Sequence, residues 1–131
     1  MQRVIDTRSV RVGGAITFPR GAVLNAIQMW EWLLQQEKIV GWTYSVNLNV
    51  LLHLHNVKVI AACYSPAHHP LPTTIKICNN NHAKCYIGER RMLIGSLNLT
   101  FPTIEDLGVL ISDKATVNMF RVLFREQWKQ L

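Results

Sequence analysis

No stretch of the 131 residues approaches the roughly 18 consecutive apolar side chains of a membrane-crossing helix. Residues 1–12 carry Arg3, Asp6, Arg8 and Arg11 without an apolar run, which argues against a secretory signal. Cysteine is sparse too. Cys63, Cys78 and Cys85 are odd in number and show no C-x-x-C spacing, so reduced, half-buried strand thiols in a reducing compartment are expected. His53, His55, His68 and His69 match no zinc-finger spacing with those cysteines, and no metal or other cofactor is expected. A cytoplasmic location without a membrane partner is the default expectation. Acids are also scarce: eight Asp and Glu against fourteen Lys and Arg leave a formal charge of +6, which favours a polyanionic partner such as nucleic acid. No internal repeat, low-complexity segment or linker interrupts the chain, which predicts a single domain over residues 1–131. Its 49% hydrophobic and 17% charged residues suit a chain with a real core and argue against disorder.

Residues 10–18 read as a strand bent at Gly13-Gly14. Across residues 20–38, Val23, Ile27, Trp30 and Leu34 recur at helical steps with Leu24 and Leu33 beside them, predicting an amphipathic helix. Residues 39–46 are β-branched and aromatic, hence a central strand. Asn47 or Asn49 then caps a short helix closed by Asn56, and residues 57–64 form a strand apolar enough to be covered on both faces. Strand, helix, strand in that order predicts a parallel crossover. Three prolines make residues 65–72 a loop, residues 73–78 a short strand, and residues 107–112 a buried strand. Lys114 begins a closing helix with Val117, Phe120, Leu123, Phe124 and Trp128 on its apolar side and Asp113 as its cap. The expected fold class is α/β: a mixed, mostly parallel central sheet with helices on both faces.

Polar side chains gather in residues 82–98, which read as a β-hairpin. Alternation puts His82, Lys84 and Tyr86 on one strand face, and Ser96 and Asn98 on one face of the returning strand. A three-residue turn at Glu89-Arg90-Arg91 would pair Gly88 with Met92, Lys84 with Ser96 and His82 with Asn98. That register is decisive, since a slip of one residue moves a pair to the opposite face. A nucleophilic or basic imidazole, a fixed cation, a hydroxyl and an amide suit an anion that gains charge in its transition state, as a phosphodiester does. Arg90 and Arg91 at the hairpin tip either touch a nucleic-acid backbone or keep the tip soluble.

At these residues the chain resembles the phospholipase D superfamily, whose motif runs H-x-K, four residues, D, six residues, G-S-x-N. His82-Ala83-Lys84 and Gly95-Ser96-Leu97-Asn98 fit; Glu89 stands where the pattern has Asp, and five residues separate it from Gly95. The superfamily also carries an acid before a strand of the form G-V-L-I, matched by Glu105-Asp106-Leu107-Gly108-Val109-Leu110-Ile111. Counting back from Gly108 favours Asp106, with Glu105 the other choice. The resemblance implies a phospholipase D-like sandwich and metal-independent phosphodiester cleavage. In it His82 attacks phosphorus to form a phosphohistidine, Asp106 holds the other ring nitrogen protonated, and Lys84, Ser96 and Asn98 bind the charged oxygens. One H-x-K supplies one histidine, so the resemblance also implies a symmetric homodimer that brings both copies of His82 into one site. Trp30, Trp32, Trp42 and Trp128 are core or dimer aromatics. A small basic chain favours a nuclease acting on DNA or RNA. A non-catalytic nucleic-acid-binding module of the same fold is the alternative, and phospholipid substrates are disfavoured by the lack of a basic amphipathic membrane helix.

Overall fold

A computed structural model describes residues 21–101 and 105–131 of the chain; the strand expected at residues 10–18 lies outside them. The described chain opens with strand β1 (Gly21–Asn25) and turns straight into helix α1 (Ala26–Gln35). Asn25 sets that boundary. Its side-chain oxygen accepts from the Gln28 N–H at 2.9 Å while Gln28 Oε1 accepts from the Asn25 N–H at 3.0 Å, a reciprocal capping box. The helix therefore begins at Ala26 and not at residue 20, and Val23 and Leu24 belong to the strand despite their helical spacing.

Strand β2 (Ile39–Asn47), the short helix α2 (Leu48–Leu51) and strand β3 (Val57–Ser65) form the expected parallel unit, paired from Ile39↔Val57 to Asn47↔Ser65. Asn47 accepts from the Asn49 N–H at 2.8 Å to start α2, and Asn56, at φ 47°, turns the chain into β3 in the left-handed conformation that asparagine tolerates. Strands β4 (Ile75–Ile77), β5 (Cys85–Ile87), β6 (Met92–Gly95) and β7 (Leu107–Ile111) follow, and helix α3 (Lys114–Gln130) closes the chain. Asp113 caps α3, accepting from the Thr116 N–H at 3.2 Å.

The seven strands make one sheet in the order β1-β7-β6-β5-β2-β3-β4. Only β2-β3 and β3-β4 are parallel; the other four neighbour pairs are antiparallel, so the sheet is mixed and mostly antiparallel, not mostly parallel. The β5-β6 pair reverses through a four-residue loop, too short for the crossover that a parallel pair needs, and β7 then returns antiparallel to both β6 and β1. Helices do cover both faces. On one, Met29, Trp32 and Leu33 of α1 pack with Val46, Val59, Tyr86 and Leu93. On the other, Val117 and Phe124 of α3 pack with Trp42, Ile60, Cys85 and Met92. Each fully buried aliphatic side chain contributes about 1.5–3 kcal/mol by leaving water. Trp42 adds edge-on contacts to Phe120 and Phe124, at ring distances of 6.4 and 5.5 Å.

The hairpin is present, but its register differs from expectation by one residue. Ile87 pairs with Met92, Tyr86 with Leu93 and Cys85 with Ile94, leaving a four-residue loop closed by the Gly88 N–H on the Arg91 carbonyl at 2.9 Å. Every residue of both strands before Gly95 is apolar, so polar alternation has no purchase on the register. Two tertiary contacts hold the loop instead: Arg121 of α3 donates to the carbonyls of Gly88 at 2.8 Å and Glu89 at 2.6 Å, and Gly88 lies against Trp32 and Gln36, where a Cβ would collide. Lys84 consequently meets Gly95, whose N–H reaches the Lys84 carbonyl at 3.3 Å, and not Ser96. His82 is likewise not laddered to Asn98, because β5 begins only at Cys85. Among the described residues, no helix is long and apolar enough to cross a membrane.

Candidate active site

The residues singled out in the sequence sit on segments that enter β5 and leave β6, at the end of the sheet where β2 finishes. Beyond Gly95 the chain swings across to β2: Leu99 bridges to Val46 in parallel, and the Asn47 N–H donates to the Leu99 carbonyl at 2.8 Å. That crossing delivers Asn98 to the β2 backbone. Its Oδ1 accepts from the N–H groups of Tyr44 and Ser45, both at 3.1 Å, and lies 3.3 Å from Thr43 Oγ1. Two backbone donors fix the amide's orientation. With the oxygen end occupied, the Nδ2 end, which carries two N–H donors, is the part of Asn98 suited to an anionic ligand.

Thr43, fully buried, is the hub beneath the site. Its hydroxyl accepts from the Leu99 N–H at 3.1 Å, donates to the Ser45 carbonyl at 2.9 Å and lies 3.1 Å from Tyr86 Oη, which itself donates to the Leu97 carbonyl. Asn81 braces the same spot from the other side, donating to the Thr43 carbonyl at 2.9 Å. Burial pushes the Tyr86 hydroxyl well above its ordinary range, the Thr43 contact works against that shift, and Cys85 and Asp106 add to it. Tyr86 therefore stays a neutral donor.

His82 is exposed, and its ring stacks on that of Tyr44 with centroids 5.3 Å apart and planes 15° from parallel. Tyr44 thus links the two halves of the motif, stacking on His82 through its ring while its N–H holds Asn98. Lys84 is half-buried and reaches the His82 carbonyl with Nζ at 3.4 Å, so its ammonium stays beside the histidine's own backbone.

Ser96 turns to the segment before β7. Its hydroxyl donates to Asp106 Oδ1 at 2.8 Å and accepts from the Leu107 N–H at 3.0 Å, while its own N–H donates to the Leu107 carbonyl at 2.9 Å. The glycine before it has a steric reason. Gly95 pairs directly with Gly108, and a Cβ on Gly95 would run into the Leu107 carbonyl and the Gly108 Cα. Close approach of these two backbones brings Asp106 to Ser96.

His82 and Asn98 thus both meet Tyr44, Lys84 lies beside the His82 carbonyl, and Asp106 is brought to Ser96. Glu105 is exposed beside Asp106. Arg90 and Arg91 are exposed at the hairpin tip, at the opposite end of β5 and β6 from His82 and Ser96. Thr43, Tyr44 and Tyr86 support the site without belonging to any motif; their only signal in the sequence is their position in strands next to it. Among the described residues no three His, Cys, Asp or Glu side chains stand where they could hold a metal ion.

No protein-family model matches the sequence, and neither does any curated protein. Solved structures do share the fold. TrmBL2, an archaeal chromatin protein whose structure shows a novel mode of DNA binding, superposes with a TM-score of 0.52 at 12% identity, over 94% of this chain and 61% of its own. Nuc from Salmonella typhimurium, a phospholipase D family member, superposes with a TM-score of 0.56 at 11% identity, over 84% of this chain and 95% of its own. The chain is therefore similar in fold to a phospholipase D family member over nearly the whole of that protein.

Proposed function

We propose that this protein is a metal-independent phosphodiesterase, a nuclease cutting DNA or RNA through a phosphohistidine on His82, and that it works as a homodimer. The observation that carries the reading is the joint presence of His82-x-Lys84 and Gly95-Ser96-x-Asn98 at one end of a sheet whose fold is shared with a phospholipase D family member. A ring nitrogen of His82 attacks phosphorus, forming a P–N bond as one bridging P–O bond breaks. Lys84 and the Nδ2 group of Asn98 meet the charge that grows on the non-bridging oxygens, each such donor supplying on the order of 10²–10³ in rate. Asp106, held by Ser96, keeps the other nitrogen of His82 protonated.

The leaving oxygen needs a proton that His82 no longer has. A second copy of the chain supplies it from its own His82, which then takes a proton from the water that attacks phosphorus and frees the first histidine. The test is cleavage of labelled single- and double-stranded DNA and RNA in excess EDTA, with the His82→Ala protein alongside. Cleavage by the wild type that the variant lacks is expected; equal cleavage by both, or none by either, counts against the reading.

One observation favours a second reading, a binding module without catalysis: the fold is shared over 94% of this chain with an archaeal chromatin protein that binds DNA. That reading predicts a gel shift by both proteins with no cleavage by either.

A further inference from the structure

The far end of the sheet carries a second charged feature that the phosphodiesterase reading does not use. A groove of about 250 Å³ opens between α3 and the starts of β2 and β3, with Lys38, Lys58, Arg121 and Arg125 on its walls and Val40, Ile87 and Phe124 at its floor. Across the hairpin loop lies a neighbouring groove that shares Arg121 and adds Arg90 and Lys114. Glu89 is the one carboxylate lining either groove. Six cations against one acid give this surface a formal charge of +5, while the other described residues hold four Lys and Arg against six Asp and Glu. Among the described residues the positive charge is concentrated on this one surface.

Among the described residues no carboxylate forms an ion pair with these six side chains. Some of them are nevertheless positioned. Arg121 is fixed by its bonds to the Gly88 and Glu89 carbonyls, and the Lys58 ammonium sits 4.6 Å over the Trp128 ring. Lys38, Arg90, Lys114 and Arg125 are exposed around them. Uncompensated cations on a partly rigid frame repel one another, and a polyanion relieves that repulsion with release of its own counterions. Ile87 and Phe124 at the floor are buried and Val40 is half-buried, so the groove lining itself presents little apolar surface to a lipid layer, which favours a hydrophilic polyanion as the occupant.

We infer that the grooves on either side of the hairpin loop, lined by Lys38, Lys58, Arg121 and Arg125 and by Arg90 and Lys114, form a phosphate-backbone-binding surface for nucleic acid separate from the His82 site. Lys84 and Gly88 are four residue steps apart along the strand, so the two sites lie roughly 13 Å apart along the hairpin. A single polynucleotide could then contact both, anchored by its backbone at one end of the sheet while a phosphodiester lies at the other. The inference does not depend on catalysis, because a chain that only binds would use the same surface.

The test uses a labelled random-sequence duplex DNA and three full-length proteins: His82→Ala, His82→Ala with Lys38→Ala and Arg125→Ala, and His82→Ala with Lys38→Arg and Arg125→Lys. Binding is measured across a series of salt concentrations. Removing the two cations should weaken binding by on the order of tenfold and lower the slope of log affinity on log salt by about two, one for each phosphate left without its cation. The charge-conserving pair should bind like the parent, which separates the effect of charge from an effect on folding. Equal affinity and slope in the alanine pair would overturn the inference, as would binding to phosphatidylserine vesicles with no binding to the duplex. Failure of the His82 reading shows up elsewhere, as absence of cleavage by wild-type protein that still binds the duplex.

Discussion

Asn98 performs two tasks with opposite ends of one side chain, and two substitutions separate them. Its Oδ1 satisfies the N–H groups of Tyr44 and Ser45; its Nδ2 is the donor that the proposed chemistry needs. Asn98→Ala leaves both backbone donors without that acceptor and should lower stability by about 1–3 kcal/mol in urea denaturation. Asn98→Asp keeps an acceptor for them but loses the Nδ2 donor and adds a negative charge beside the substrate. Its stability at neutral pH should stay nearer the wild type, while its turnover falls on the order of 10²–10³. A fully active Asn98→Asp protein would remove Asn98 from the reaction. Cys85 gives a second prediction at this scale. Desolvation pushes its thiol from an ordinary 9.0 up to about 12. The folded chain therefore keeps a proton that the unfolded chain gives up, so this contribution to stability is fully present below pH 9 and is lost as the pH climbs toward 12. Burial moves the Tyr86 hydroxyl in the same direction. Denaturation midpoints should fall across that alkaline window, less steeply for Cys85→Ala; a flat profile would contradict the burial of both groups. The candidates His82, Lys84, Ser96 and Asn98 stood out in the sequence because H-x-K and G-S-x-N flank apolar strand segments. Thr43 and Tyr44 did not, since Thr and Tyr are ordinary strand formers and nothing local marks them as supports.

Elements were easiest to place where a cap or a breaker coincides with a change of period. Asp113 before α3 and Asn47 before α2 stand where the sequence predicted them, but α2 ends at Leu51 with Leu52 as its C-cap, four residues before the Asn56 expected to close it. At α1 the apolar spacing runs back through Leu24 and Val23 without a break, and only the reciprocal bonds of Asn25 and Gln28 show where strand becomes helix. Asn25 is buried, so Asn25→Ala leaves the first turn of α1 short of an acceptor that water cannot replace. It should cost about 0.5–2 kcal/mol, while Asn25→Ser recovers most of that. An unchanged denaturation midpoint in the alanine protein would mean that this cap does not hold the boundary. The hairpin register was illegible for a different reason. Its strands are apolar on both faces, and the anchor that fixes the loop, Arg121, lies far along the chain in another element. Likewise, the parallel β2-β3 unit and the β5-β6 hairpin were legible, but the antiparallel pairings of β2 with β5, β6 with β7 and β1 with β7 were not, since no local signal marks them.

For the molecule as a whole, the net charge of +6 was plain in the sequence, but its placement was not, because Lys38 before β2, Lys58 in β3, and Arg121 and Arg125 in α3 meet only in the fold. The same assembly puts different groups at the two ends of the sheet: at one His82 and Asn98 meet Tyr44 with Lys84 beside the His82 carbonyl, and at the other cations gather around the hairpin loop. The proposed homodimer belongs to this scale too, since it is argued from proton balance and not from a surface patch: in the proposed chemistry one histidine cannot serve as nucleophile and as leaving-group acid in the same step. The proposed covalent intermediate is the step most open to direct observation. Nucleic acid carrying radiophosphorus at its phosphodiesters is incubated with protein in EDTA, quenched in alkali, where a phosphohistidine survives, and the protein is digested and its labelled peptide sequenced. Chemistry through His82 predicts label on the peptide containing that residue in the wild type and none in His82→Ala. Cleavage without any protein-bound label, or label that persists when His82 is replaced, would contradict it.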